Sequence, residues 1–250
     1  MSRLIFAANW KMHLGPVGAR RFLETFLASY SPRVDREVWF FPSAVALETV
    51  AALTREREAV RVGAQNVHWE PKGAFTGELS IAMAQEAGAE AALVGHSERR
   101  HVFGESDEEA ARKVRALLQQ GLTPMLCLGE TIAQREAGET LAVVERQLQA
   151  LAEHPAHVLA GVGVAYEPVW AIGTGKTATP KDAAEVHRFI RRWLADRGVA
   201  PAAARILYGG SVKPGNVAEL VAEPEIDGVL VGGASLDPAA WGEMVRCRLD

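Results

Sequence analysis

Eight short apolar runs, separated by longer segments of helical period, constrain the fold of this chain more than any other feature of its sequence. The runs are Leu4–Ala8, Val38–Phe41, Val60–Ala64, Ala91–Val94, Pro124–Leu128, Val162–Tyr166, Ile206–Tyr208 and Val229–Val231. Most are apolar on both parities, the pattern of strands covered on both faces in a parallel sheet. Between them lie amphipathic stretches such as VGARRFLETFLASY, DEEAARKVRALLQQ and KDAAEVHRFIRRWLADRG. The last is closed by Gly198, the expected helix C-terminal cap. Alternating strand and helix predicts an α/β fold with a parallel sheet. Eight units of roughly 30 residues fill positions 1–250 without a linker, which predicts a single domain, a closed (β/α)8 barrel. The competing doubly wound open sheet would carry a Gly-rich turn after its first strand, and here that turn reads NWKMHLG.

Composition serves mainly to exclude. At 48% apolar residues the chain can bury a large core. A formal net charge of −4 argues against a nucleic-acid or anionic-membrane partner. Cys127 and Cys247 are too few for a disulfide framework and lack metal-ligand spacing. No apolar run reaches the length of a membrane span, and Asn9 and Lys11 directly follow the first one, against a secretory signal. A cytoplasmic protein is expected. Arginine greatly outnumbers lysine, so a lysine within a suspected site is informative, because the two side chains differ physically.

The residues that follow each run meet at the C-terminal mouth of a barrel, where barrel active sites lie. They are Asn9 and Lys11, Ser43, Gln65 and Asn66, His96-Ser97-Glu98, Glu130, Glu167, Gly209-Gly210-Ser211, and Gly232-Gly233. The glycine pairs after the seventh and eighth runs let backbone N–H groups converge on an anion, at the usual place of a barrel's phosphate site; one such pair alone would be only a tight turn. Glu167, beside Pro168, is either an anchor for the next loop or a general base. His96 opens HSERR, where a short helix can begin. It is either a structural histidine or a neutral imidazole kept from protonation by the helix N-terminus. With His101 it has no zinc spacing. Lys11, two residues after Asn9, points inward with it if the strand continues, and its ammonium can stabilise charge on a substrate oxygen. Phosphate site, carboxylate base, neutral imidazole and lysine together describe proton abstraction beside a carbonyl in a phosphorylated sugar, with no cofactor or metal.

At this point the chain resembles the triosephosphate isomerase family along essentially its full length. The matching stretches are NWKM (9–12), AQN (64–66), GAFTGE (73–78), GHSERR (95–100), CLGE (127–130), YEPVWAIGTGKTAT (166–179), YGGSVKPGN (208–216) and DGVLVGGASL (227–236). The resemblance implies a TIM barrel that interconverts dihydroxyacetone phosphate and glyceraldehyde 3-phosphate in glycolysis and gluconeogenesis. It implies Glu167 as the base, His96 as the electrophile, and Lys11 and Asn9 as the groups that charge and orient the site. Gly173, Ser211, Gly232 and Gly233 would hold the phosphate through their N–H groups, with Glu98 as a partner behind the reacting groups and Cys127 packed near Glu167. It also implies a homodimer, with a tetramer open, in which the loop NVHWEPKGAFTGE brings Thr76 close to the neighbouring subunit's Lys11. That loop carries Val67, Trp69 and Phe75, apolar side chains on a long connection, which suggests packing against something. This chain departs from the family in His13, where Asn is usual, and in Ala8, where Gly is usual. The alternatives are a Schiff-base sugar-phosphate aldolase, which needs a buried lysine near a strand end, and an inactive phosphate-binding homologue.

The stretch GTGKT (173–177) has the look of a nucleotide-binding P-loop, but Trp170 stands where that motif requires its first glycine. The next helix is expected to start at Thr179-Pro180, with Asp182 backing the cap, which is too late for a P-loop. Pro168, Val169, Trp170, Ala171, Ile172, Gly173, Thr174, Gly175, Lys176, Thr177 and Ala178 therefore read as a hinged lid between Glu167 and that cap.

Overall fold

In the computed structural model, which describes residues 3–172 and 179–248, eight parallel strands close on one another in sequence order. They are β1 (Leu4–Asn9), β2 (Arg36–Phe41), β3 (Val60–Ala64), β4 (Ala91–Val94), β5 (Thr123–Leu128), β6 (Gly163–Tyr166), β7 (Arg205–Tyr208) and β8 (Gly228–Val231). The pairing of β1 with β8, from Ile5 opposite Gly228 to Ala8 opposite Val231, completes the ring. Every predicted run is a strand. The largest difference is at β2, which begins two residues early with Arg36 and Glu37. Both are buried by partners that local hydropathy does not reveal.

Alternation along each strand divides the core in two. Ile5 and Ala7, Trp39 and Phe41, Ala91 and Leu93, and Met125 and Cys127 point into the barrel, joined by Ala165, Leu207 and Leu230. Phe6, Ala8, Val38, Phe40, Leu126, Val164 and Ile206 point outward, beneath the helices. Trp39 and Phe41 fill much of an interior that the other strands line with small and medium side chains. Continued one residue past the strand end, the inward rows Ala165–Glu167, Leu207–Gly209 and Leu230–Gly232 deliver the residues of the mouth.

The described helices are α1 (Pro16–Ser29), α2 (Leu47–Thr54), α3 (Ile81–Glu86), α4 (Ser97–His101), α5 (Asp107–Gln119), α6 (Ile132–Glu136), α7 (Thr140–Leu148), α8 (Ala156–Leu159), α9 (Pro180–Ala195), α10 (Val217–Ala222) and α11 (Pro238–Val245). The boundaries of α9 follow from its sequence. Thr179 and Asp182 form a reciprocal capping box with Pro180 as the first helical residue. At the other end Gly198 takes φ +85°, its N–H donates to Ala195 O at 2.9 Å and the Val199 N–H to Leu194 O at 3.1 Å. That is the left-handed glycine cap expected there. No described helix is long and apolar enough to cross a membrane.

Candidate active site

A cavity of about 330 Å³ opens at the C-terminal ends of the strands, within the ~300–1,000 Å³ span of small-molecule sites. Asn9, Lys11, His96 and Glu167 line one part of it, and Gly209, Gly210, Ser211, Gly232 and Gly233 another. The structure thus brings together residues from β1, β4, β6, β7 and β8.

Lys11 reaches the cavity by a different route from the one predicted. β1 ends at Asn9, and Lys11 sits at φ +49°, a left-handed conformation costly for a side chain with a Cβ. Its surroundings hold it there. The Lys11 N–H donates to Asn9 Oδ1 at 3.0 Å, and Gln65 Nε2 donates to Lys11 O at 2.8 Å and to Phe41 O at 2.9 Å. The ammonium then meets Glu98 Oε1 at 2.6 Å. A Cβ on Gly232 would stand 3.1 Å from Lys11 Cε, so the glycine keeps this path open.

Glu167 is almost fully buried and has two anchors. The Ser97 N–H donates to its Oε2 at 2.8 Å, and His96 Nε2 lies 3.1 Å from its Oε1. His96 is the N-cap of the short helix α4, and its Nδ1 accepts the Glu98 N–H at 3.2 Å. An accepting Nδ1 carries no hydrogen, so the neutral ring bears its proton on Nε2 and donates it to Glu167. Asn9 Nδ2 lies 3.1 Å from the same Nε2. Burial, the largest single influence, lowers the proton affinity of His96, but the Glu167 charge, its hydrogen bond and the Glu98 charge together outweigh it, for a net upward shift. Burial likewise raises the pKa of Glu167, while His96 and the Ser97 N–H lower it to a net downward shift. The His96–Glu167 contact contributes to both shifts, and a molecule inserted between the ring and the carboxylate removes that contribution.

Two glycines bring neighbouring backbone close to Glu167, one at its main chain and one at its side chain. A Cβ on Gly129 would stand 1.8 Å from Glu167 O, and one on Gly209 would stand 2.8 Å from Glu167 Cγ. The Glu167 N–H donates to Leu128 O at 2.7 Å, so any side chain at Gly129 would displace Glu167 itself.

Of the remaining predicted residues, Glu98 is half-exposed beside Lys11, Cys127 is fully buried inside the barrel, and Thr76 is exposed on the loop between β3 and α3. Burial, and then the Glu167 charge, push the Cys127 thiol well above its ordinary pKa, so it packs as a neutral thiol. Pro168 caps a short 3-10 turn, Val169–Ala171, and Ile172 reaches the cavity. Trp170 Nε1 donates to the buried Glu130 at 2.8 Å, and the Val169 N–H donates to Glu130 O at 3.1 Å. Gly173, Thr174, Gly175, Lys176, Thr177 and Ala178 lie outside the described residues. Sequence reasoning gave no role to Gln65, to the Ser97 N–H or to Glu105. The buried Glu105 carboxylate accepts the Gly95 N–H at 2.9 Å and pairs with Arg99 and Lys113 behind the β4 loop. The AQN and GHSERR stretches flagged the first two positions. A contact between backbone and a distant side chain leaves no local trace.

Comparison with known proteins agrees with the geometry. The family profile described as Triosephosphate isomerase matches residues 4–248. A protein named Triosephosphate isomerase from Aquifex aeolicus is 47% identical over 246 residues, 98% of this chain and 99% of its own length. Its namesake from Symbiobacterium thermophilum is 51% identical over 242 residues, 95% and 93% of the two chains. That from Moorella thermoacetica is 49% identical over 252 residues, 98% and 99%.

Proposed function

The chain belongs to the triosephosphate isomerase family, and from that premise we propose how its barrel mouth performs the family's reaction. The chain interconverts dihydroxyacetone phosphate and D-glyceraldehyde 3-phosphate, an isomerisation of glycolysis and gluconeogenesis. Glu167 removes a proton from the carbon beside the carbonyl, and the electron pair moves onto the carbonyl oxygen to give an enediolate. The Nε2–H of His96 gives its proton to that oxygen as charge builds, and the ring recovers a proton from the neighbouring hydroxyl, whose oxygen becomes the new carbonyl. Glu167 then delivers its proton to the neighbouring carbon. The Lys11 ammonium stabilises the enediolate, and Asn9 orients the groups beside it.

One observation carries this reading. A buried carboxylate faces the imidazole Nε2 of His96 at 3.1 Å in a cavity that also holds Lys11. Substrate between the two breaks their contact, frees the carboxylate for carbon and withdraws the charge that raises the His96 pKa. The N–H groups of Ser211, Gly232 and Gly233 take the phosphate, joined by Gly173 from a lid spanning 168–178 that excludes water from the enediolate. Glu98 sets the position of Lys11, and Cys127 backs Glu167. A lysine able to form a Schiff base is not offered by the buried Lys113, whose ammonium is spent on Glu105 and on Asn66 at 2.7 Å.

The whole chain acts as one catalytic unit, without a cofactor or metal, in the cytoplasm and without a membrane or nucleic-acid partner. It pairs as a homodimer, with a tetramer as the alternative. Support comes from Met12 (94% exposed), Val45, Phe75, Val102 and Phe103, apolar side chains that solvent reaches on the connections after β1 to β4. Thr76 sits among them, where a neighbour's Lys11 can receive it. Conversion of purified glyceraldehyde 3-phosphate to dihydroxyacetone phosphate, followed by NMR in buffer containing EDTA, tests the reaction. Absence of conversion rejects it, and a monomeric mass by light scattering rejects the dimer.

A further inference from the structure

The loop after β7 carries a charge that the reaction above does not use. Lys213 lines the same cavity as Glu167, His96 and Lys11. Its side chain is exposed, and no carboxylate pairs with it among the described residues, whereas Lys11 is paired with Glu98 at 2.6 Å. The backbone beneath it is pinned. The Lys213 N–H donates to Asn216 Oδ1 at 2.8 Å, and Asn216 Nδ2 donates to Ser211 O at 3.1 Å. Lys213 O accepts the N–H groups of Asn216 and Val217, each at 3.1 Å. The ammonium is therefore tethered to the turn that forms the glycine-rich wall of the cavity.

The charge balance of the cavity gives this residue a task. Among the described residues lining it, the ionisable side chains are Lys11, His96, Glu167 and Lys213. Glu98 offsets Lys11, and the Glu167 carboxylate lies 3.1 Å from the His96 ring and offsets any charge it carries. The protein as a whole carries −4. Without Lys213, a phosphorylated dianion entering this mouth meets no uncompensated cation on these walls. In a chain that uses arginine at most basic positions, lysine here supplies a compact, strongly hydrated charge on a flexible stem, without the planar fork that would lock one geometry.

We propose that Lys213 is a substrate-capturing residue, whose ammonium draws the phosphate dianion towards the Ser211 and Gly232 walls and takes no part in proton transfer. The proposal rests on the isomerase reading above. It is tested with Lys213→Ala, Lys213→Arg and Lys213→Glu, assayed with glyceraldehyde 3-phosphate from low to high sodium chloride, and with glyceraldehyde, which lacks the phosphate. At low salt Lys213→Ala is expected to lower kcat/KM about fivefold, with kcat within about twofold. Lys213→Glu loses more and Lys213→Arg stays near wild type. The differences close as salt approaches about 0.5 M, and glyceraldehyde turnover is unchanged. An unaltered kcat/KM at low salt overturns the proposal. So does a loss that persists at high salt and extends to glyceraldehyde, which would make Lys213 a prop for its loop. Inactivity of the wild type would instead reject the isomerase reading. In that case, binding of inorganic phosphate measured by calorimetry still tests Lys213, which requires weaker binding by Lys213→Ala.

Discussion

At the floor of the barrel, Arg36 is 1% exposed and fully occupied. Its guanidinium meets Asp35 at 2.8 Å and donates to Val245 O at 2.6 Å and Cys247 O at 3.0 Å. Nearby, Arg191 bridges Glu225 and Asp227, and the Asp227 carboxylate also accepts the Ile206 N–H at 2.9 Å. At the mouth of the same strands, Lys11 is held at φ +49° and Glu167 rests against His96 at 3.1 Å inside an open cavity. The floor pairs its charges in closed packing, and the mouth pairs Lys11 with Glu98 and Glu167 with His96 at the wall of an open cavity. One scaffold therefore carries two electrostatic regimes, separated by the packed interior of Trp39, Phe41, Leu93 and Met125.

Substitutions at the two ends should fail in different ways. Glu167→Asp, which retracts the carboxylate by one methylene, is expected to lower kcat about a thousandfold with KM and Tm little changed. A near-wild-type rate would remove Glu167 from the base role. Arg36→Met should do the reverse. Loss of the bonds to the Val245 and Cys247 carbonyls is expected to cost about 3 kcal/mol, lowering Tm by about 10 °C while the folded enzyme keeps its kcat/KM. If activity falls with stability, the two ends are not separable. His96→Gln should lose about a hundredfold in kcat, with an unchanged denaturation curve; unaltered turnover would return His96 to a structural part.

Smaller effects sharpen the same contrast. His187 is fully buried on the inner face of α9, with Nδ1 3.1 Å from Glu225 O, and burial followed by the Arg191 charge depress its pKa to about 3. The folded protein keeps this ring neutral, while the unfolded chain takes up a proton below about 6.5. Its stabilising effect is therefore complete above that pH and is lost progressively as pH falls towards 3. Between pH 7 and 5 the loss is about 2 kcal/mol. His187→Gln should flatten the denaturation profile over that interval, and a parallel profile would contradict the assignment. The smallest change is expected from Arg112→Ala, which breaks an exposed helical pair with Glu108 and should shift stability by no more than about 0.5 kcal/mol.

Which of these residues were legible in the sequence follows from the range of their contacts. Glu167, Gly209 and Gly232 stand one step beyond an apolar run, so strand parity alone locates them. The caps of α9 were legible for the same reason, since Thr179, Asp182 and Gly198 act on their own helix. Lys11 was found by position and for an incorrect reason: parity requires a strand, and the strand stops at Asn9. Gln65 and Glu105 serve carbonyls and N–H groups on other loops, which no window of sequence contains. Arg36 and Glu37 read as polar boundary residues because part of what buries them is distant: the 245 and 247 carbonyls for Arg36, and Arg61 at 3.3 Å for Glu37, which also accepts from Trp39 Nε1 on its own strand at 2.9 Å.

The pairing of β1 with β8 has a consequence for how the chain is made. A ribosome releases β1 first and β8 last, and Ile5 and Gly228 cannot join until more than two hundred intervening residues have emerged. Until then the sheet has two raw edges, each presenting a row of unsatisfied N–H and C=O groups to other nascent chains. The interval between the first strand and the last is therefore the time of greatest exposure to aggregation, and a slow or stalled synthesis lengthens it.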